Sequence, residues 1–342
     1  MVRVLIATVV AMLISIVAGP KFIEFLRRRE LGQHIRAELP AGHVVKQGTP
    51  TAGGVLIVFA ATLAFLALSR YSTAALTVFF AMVACAAVGF ADDVIKLRHR
   101  RSLGLSGRWK LLLLAAISAV VGYVAYAQLE LSTRVLIPVA GVELPLSWFW
   151  YAFLFFIVAG AANGVNLTDG IDGLAAGTGI IAIFTFTAIA VFTSVRTGQL
   201  VGEQNIPFLD MAILGGALIG ASIGFLWYNA FPAEVFMGDT GSMAIGGALA
   251  GFAIMMKAEV LLLLIGGIFA LEALSVMVQV FTFKYLGRRV FLMTPIHHHF
   301  EMKAWSDAKI MVRFWIVTGI LCAVGFALYY SSYDDFRRLR NP

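Results

Sequence analysis

Apolar residues along this chain gather in long unbroken runs, and the short segments between the runs hold nearly all of the charge. Runs of roughly 17–25 apolar residues suffice to cross about 30 Å of hydrocarbon as helices. Ten spans are predicted, at 2–20, 52–69, 72–90, 109–127, 147–163, 173–193, 209–228, 241–256, 258–283 and 309–331. Only Lys257 to Glu259 separates the eighth from the ninth. The ninth is overlong and is expected to bend, tilt or leave the membrane before its end. A membrane barrel is excluded, because its strands alternate apolar and polar residues over about 10 positions, whereas Leu111 to Ala127 is apolar on all sides. The expected fold is all-α: one polytopic membrane domain over residues 1–342, with its active site built from loops.

Composition agrees. The chain is 60% hydrophobic and 13% charged, against about 45–50% and about 25% in soluble proteins. That excludes an ordinary soluble or disordered protein. Met1 to Pro20 is not read as a signal peptide, because Gly19-Pro20 is no small-x-small site and the positive charges follow the apolar run. Cys85 and Cys322 lie inside apolar runs and are read as small core residues.

Charge then orients the spans. Eighteen Lys and Arg lie on the side of the loops that follow odd-numbered spans, and eight on the other. The positive side faces the cytoplasm, so both termini are expected outside. Three tail arginines, Arg337, Arg338 and Arg340, weakly oppose this, with Asp334 and Asp335 beside them. The net charge of +7 reflects these loops and their attraction to anionic membrane lipids. Nucleic acid is not an expected partner. The external loops read as short and nearly featureless.

All the unusual polar clusters fall on the cytoplasmic loops. Asp92-Asp93 ends the third span, with Lys96 one turn on. Carboxylates at a span end are costly and mark a functional site; two of them can hold Mg²⁺ through oxygen, or can simply face water. From Asn163 to Gly173, polar groups recur every third residue as Asn163, Asn166, Asp169 and Asp172, with Gly170 and Gly173 interleaved. That turn suits a metal, or the hydroxyl and amide groups of a ligand. Asn229 precedes Phe236 and the Gly238-Asp239-Thr240-Gly241-Ser242 segment, where Asp239 could complete a Mg²⁺ site with Asp92 or Asp93. The helix start there also suits phosphate. His297, His298 and His299 are consecutive and fan out, so they are read as imidazoles facing phosphates and not as a zinc site. Lys46 to Gly54 offers a cation, the hydroxyls of Thr49 and Thr51, and close backbone, but lacks a P-loop ending. Glu272 and Gln279 share one face of the ninth span, either lining a groove or making an interhelical hydrogen bond.

These motifs resemble the phospho-N-acetylmuramoyl-pentapeptide transferases, within the polyprenyl-phosphate hexose-1-phosphate transferase superfamily. The paired Asp and the Asp-bearing loops mark the superfamily; Met293 to Glu301, with its triple His, marks the member. The resemblance runs from the first span to the last. It implies that UDP-MurNAc-pentapeptide and undecaprenyl phosphate react to give lipid I and UMP. It also implies Mg²⁺ dependence, ten spans, external termini, a homodimer and a bacterial cytoplasmic membrane, with the site facing the cytoplasm. By match to the family's motifs, Asp92, Asp93, Asp239 and His297 are catalytic, with Asp239, Asp92 and Asp93 toward the metal. Lys46, Thr51, Asn166, Asp169, Gly170, Asp172, Asn229 and Phe236 fall where the family binds the uridine and sugar diphosphate; Lys96, Ser242, His298 and His299 are further candidates for substrate binding. Many relatives carry Lys-Gly-Leu where this chain has Leu103-Gly104-Leu105, so any phosphate contact of that Lys passes to Arg100, Arg101 or Arg108 or is lost.

Three matters stay open on sequence alone. Asp92 or Asp93 either orients the lipid phosphate for direct attack or acts as a covalent nucleophile. A sister transferase using UDP-GlcNAc is the nearer rival. A transporter is the farther one, because it would place ionisable groups at the midplane and show inverted repeats.

Overall fold

The structure is a computed structural model that describes residues 1–29, 48–99, 103–201 and 205–340. Each predicted apolar run holds a helix. In chain order these are α1 (Val2–Arg28), α2 (Gly54–Leu68), α3 (Thr73–Arg98), α4 (Gly107–Tyr123), α5 (Phe149–Thr168), α6 (Leu174–Val201), α7 (Ile206–Asn229) and α8 (Gly238–Met255). The ninth run divides into α9 (Leu262–Ile265) and α10 (Gly267–Leu286), broken at Gly266, and so realises the expected bend. After α11 (Ile296–Glu301) come α12 (Asp307–Ser331) and α13 (Tyr333–Arg340).

Among the described residues eight helices, not ten, are long and apolar enough to cross a membrane. α2 is apolar but has 15 residues. α8 has 18, but its first turn carries Asp239, Thr240 and Ser242, and every residue from Asp239 to Met255 is buried. A helix walled in by other helices has no need of the hydropathy that lipid exposure demands. Instead α8 is rich in Gly and Ala, which let neighbouring backbones approach closely.

The loop after α4 corrects the featureless reading. A π-helical turn, Val124–Gln128, leads into an antiparallel hairpin of β1 (Arg134–Ile137) and β2 (Val142–Pro145). Hydrophobic β-branched residues and an Arg134–Glu143 ion pair of 3.2 Å hold it. The tail is also structured. Arg340 is buried, donates to the Tyr329 hydroxyl at 2.6 Å, and lies 4.6 Å from the Phe208 ring centre. One of the three arginines that opposed the charge count is therefore spent on packing.

The main apolar cluster reaches from α1 to α13, and a smaller one gathers Ile171, Leu174, Ile268, Ile310 and Phe314. α7 and α8 sit at the centre of the main cluster; α3 and α5 lie along α8, and α1, α2 and α6 along α7. At Gly89 the approach of α3 to α8 is closest, since a Cβ there would stand 2.1 Å from the Asp239 carbonyl oxygen. That backbone contact, which no larger residue permits, sets Asp92 and Asp93 against the start of α8.

Candidate active site

Asp93 and Asp92 are neighbours in sequence but do different work. Asp93 is buried, and its carboxylate caps α8 from outside that helix. Oδ1 accepts the Asp239 N–H at 3.0 Å; Oδ2 accepts the Thr240 N–H at 2.9 Å and the Thr240 hydroxyl at 2.6 Å. The first N–H groups of a helix have no partner within it, so this carboxylate supplies the cap that α8 lacks and fixes where Asp239 stands. A Cβ at Gly238 would lie 2.9 Å from Asp93 Oδ2 and 3.0 Å from the Thr51 hydroxyl, so the buried Thr51 sits in the same nook.

Asp92 points about a quarter-turn away, into a charge cluster. Lys96 Nζ lies 2.6 Å from Asp92 Oδ2 and 2.9 Å from Asp239 Oδ1. Lys110 Nζ lies 2.8 Å from Asp239 Oδ2 and 3.4 Å from Asp92 Oδ1. Two ammonium groups thus bridge two carboxylates drawn from α3 and α8. The Leu105 N–H adds a 2.7 Å bond to Asp92 Oδ1. Gly104 permits this: a Cβ there would stand 2.4 Å from the Asp92 carboxyl.

Lys110 is the residue that sequence reasoning passed over. It opens α4 and was counted only for its charge. Of the arginines expected to replace the absent family Lys, Arg108 is exposed, and Arg100 and Arg101 lie outside the described residues, as does Lys46. The Leu103-Gly104-Leu105 segment instead folds over Asp92, and Lys110 brings the cation.

The turn after α5 closes another wall. Asn166 Nδ2 donates to the Ser242 hydroxyl at 3.0 Å, tying α5 to α8. Asp169 is half-buried. Burial first, then the negative charge of Asp239 and Asp93, pushes its carboxyl up to about 7, against an opposing hydrogen bond from the Gly238 backbone. Asp172 accepts the Ala233 N–H at 3.1 Å. Asn229 is buried and braces two loops, accepting from Gly173 N–H at 3.0 Å and donating to the Val235 carbonyl at 2.9 Å. Phe236 is half-buried and bound through its backbone to Pro50 and Gly53.

The three histidines part company, as fanning predicts. His297 is buried, with Nδ1 3.1 Å from Glu272 Oε1. Its other nitrogen faces Gly170, where a Cβ would stand 2.3 Å from Nε2. His298 pairs with Glu301. His299 Nδ1 accepts the Leu292 N–H at 3.1 Å, and burial, with Lys303 adding, lowers its pKa. Through Nδ1, His299 therefore braces the loop before α11. Gln279 is a brace too: Oε1 accepts the N–H groups of Val290 and Phe291, each at 3.0 Å.

Among the described residues no group of three His, Cys, Asp or Glu is arranged to hold a metal ion. A hard cation that keeps waters and substrate phosphates needs only one or two carboxylates, and Asp239 with Asp92 offers that oxygen donor set. Asp93, with both oxygens committed to α8, supports Asp239 from behind.

The wall of carboxylates and lysines lies within residues 75–257, which match the family model for glycosyl transferase family 4. Curated relatives extend the likeness to nearly the whole chain. Phospho-N-acetylmuramoyl-pentapeptide-transferase of Rubrobacter xylanophilus is 44% identical, over 96% of this chain and 98% of its own. The proteins of that name from Halalkalibacterium halodurans and Frankia alni are 42% and 40% identical, over 96% of this chain and 97% and 98% of theirs. The chain belongs to the phospho-N-acetylmuramoyl-pentapeptide-transferase family.

Proposed function

We propose that this membrane protein transfers phospho-MurNAc-pentapeptide from UDP-MurNAc-pentapeptide to undecaprenyl phosphate, giving lipid I and UMP. The observation that carries the chemistry is the pair of ammonium groups bridging Asp92 and Asp239. Two anions and two cations hold one another in place, and an incoming diphosphate can take the lysines while a cation takes the carboxylates. Mg²⁺ bound at Asp239 and Asp92 would neutralise charge on the diphosphate, as phosphoryl transfer requires. Lys96 and Lys110 then face phosphate oxygens, and Asp92 orients the lipid phosphate. An oxygen of that phosphate attacks the β-phosphorus; the bond from this phosphorus to the oxygen it shares with the α-phosphate breaks, and UMP leaves. In this direct attack Asp92 stays anchored by the Leu105 N–H on Oδ1 after the lysines turn to the diphosphate. The excess of positive loops supports a site at the cytoplasmic face of a bacterial plasma membrane, and the resemblance supports a homodimer.

Release of UMP by the purified protein in detergent tests this reading. It is expected only with both UDP-MurNAc-pentapeptide and undecaprenyl phosphate present, and is expected to vanish with EDTA and return with Mg²⁺. Turnover of UDP-GlcNAc instead would move the assignment to the sister reaction.

The proton on Asp169 gives a second test. Its carboxyl is half-ionised near pH 7 because burial and negative neighbours oppose its charge. A cation brought to Asp239 offsets that field and favours the ionised form, so binding releases a proton. Mg²⁺ affinity is therefore expected to rise between pH 6 and pH 8, by up to about ten-fold per unit below the pKa. Titration of Mg²⁺ against thermal unfolding checks this, and Asp169→Asn is expected to flatten the slope.

A further inference from the structure

We propose that Glu272 is the positioning residue of His297, holding the imidazole so that Nε2 is presented to substrate at the Asp169-Gly170 turn. The inference rests on the transferase reading above and adds to it a residue that lies inside a membrane-crossing helix.

Glu272 belongs to the apolar helix α10 and is fully buried. An ionisable group there is costly unless a partner meets it. Both of its oxygens turn to a single residue 25 positions on: Oε1 lies 3.1 Å from His297 Nδ1, and Oε2 accepts the His297 backbone N–H at 3.4 Å. The Ser275 hydroxyl donates to the Glu272 carbonyl at 2.7 Å, in the same turn of α10. One carboxylate therefore fixes both the position of the His297 backbone and the plane of its ring.

The other ring nitrogen is the second observation. His297 Nε2 is buried and has no hydrogen-bond partner among the described residues. A buried unpartnered polar atom costs roughly 1–3 kcal/mol, so a native site that keeps one has a use for it. Nε2 faces Gly170, with no side chain between, beside Asp169. A carboxylate on Nδ1 keeps the proton on that nitrogen, so Nε2 is free to accept from a sugar or phosphate hydroxyl. Were the ring to gain a second proton, Glu272 would balance the charge while Nε2–H donated to a phosphate oxygen. Either way the carboxylate sets which nitrogen carries which role.

A carboxylate that merely stapled α11 to α10 would change stability but leave no signature in turnover. The experiment uses the full chain in detergent, with UMP release from UDP-MurNAc-pentapeptide and undecaprenyl phosphate as readout. Gln offers one oxygen where Glu offers two, so Glu272→Gln is expected to lower kcat by about 10- to 100-fold, as does loss of the hydrogen-bond partner that orients a metal-bound histidine. The KM for the nucleotide is expected to stay within about two-fold. In a His297→Ala background Glu272→Gln is expected to add no further loss, the signature of two residues acting as one unit. Losses that multiply, or a Glu272→Gln enzyme as fast as the parent, overturn the proposal. Wild-type protein that releases no UMP would overturn the transferase reading itself, so the two failures are distinct. Should Glu272→Gln not fold, histidine ¹⁵N shifts of the wild-type protein decide, with His297 assigned by its loss in His297→Ala. A proton on Nδ1 supports the proposal, and a neutral ring protonated only at Nε2 overturns it.

Discussion

Asp239→Asn is expected to lower UMP release by about 10²- to 10³-fold while leaving the protein folded. Asp239 touches both Lys96 and Lys110 on opposite oxygens, at 2.9 and 2.8 Å, and lies closer to Lys110 than Asp92 does. The amide keeps an oxygen for one lysine and turns an NH₂ toward the other. Losing one preorganised electrostatic group at a reacting centre costs about 2.7–4 kcal/mol of transition-state stabilisation, about 10²- to 10³-fold in rate. Partial exposure of Lys96 reduces the loss toward the lower end of that range. The backbone of Asp239 is held by Asp93 independently of its side chain, so the start of α8 persists. Turnover at saturating substrate, with thermal unfolding measured on the same preparations, checks both halves. Activity within ten-fold of the parent would place the essential charge elsewhere.

Much of the fold is legible in the sequence for one reason: an apolar run of 17–25 residues has few other places to go. Length and hydropathy single out eight of these helices among the described residues. α2 and α8 are helices, yet α8 owes its place to small residues packed among other helices, and hydropathy does not measure that. The break at Gly266 is foreshadowed by length, whereas the hairpin at Arg134–Pro145 is not, because four-residue strands leave too short a pattern. Within the site, residue types are readable and assignments are not. Nothing in Asp92-Asp93 tells which side chain faces α8 and which faces Lys96; that depends on the rotation of α3, fixed by contacts such as Gly89 on Asp239. Asn229 has the chemistry of a ligand contact, and the sequence does not show that it also braces two loops. Lys110 left one signal: a lysine one turn inside the start of an apolar helix is an odd place for a charge. Glu272 left the same signal, a carboxylate within an apolar run, and its partner lay in the motif already singled out.

The division of labour between the paired carboxylates makes the second large prediction. Asp92→Asn and Asp93→Ala are both expected to abolish useful turnover, but through different failures. Asp93 satisfies three donors at the buried start of α8: two N–H groups and the Thr240 hydroxyl. Alanine leaves them without a partner, and each buried unsatisfied group costs about 1–3 kcal/mol. Some relief comes from water, so a net loss of about 3–5 kcal/mol is reasonable. At about 2.1 cal/mol/K per residue, 1 kcal/mol moves the melting point of a 342-residue chain by about 1.4 °C, so Asp93→Ala is expected to melt about 4–7 °C below the parent. Asp92 faces two lysines and one N–H and carries no helix end. Its replacement by Asn keeps an oxygen for Leu105 and leaves Asp239 in contact with both lysines. Asp92→Asn is expected to melt within about 3 °C of the parent while losing turnover. Thermal unfolding of the two variants in the same detergent separates them. Equal melting points would mean that Asp93 is not what holds the start of α8, and the placement of Asp239 would then have to come from Gly89 and the packing of α3 alone.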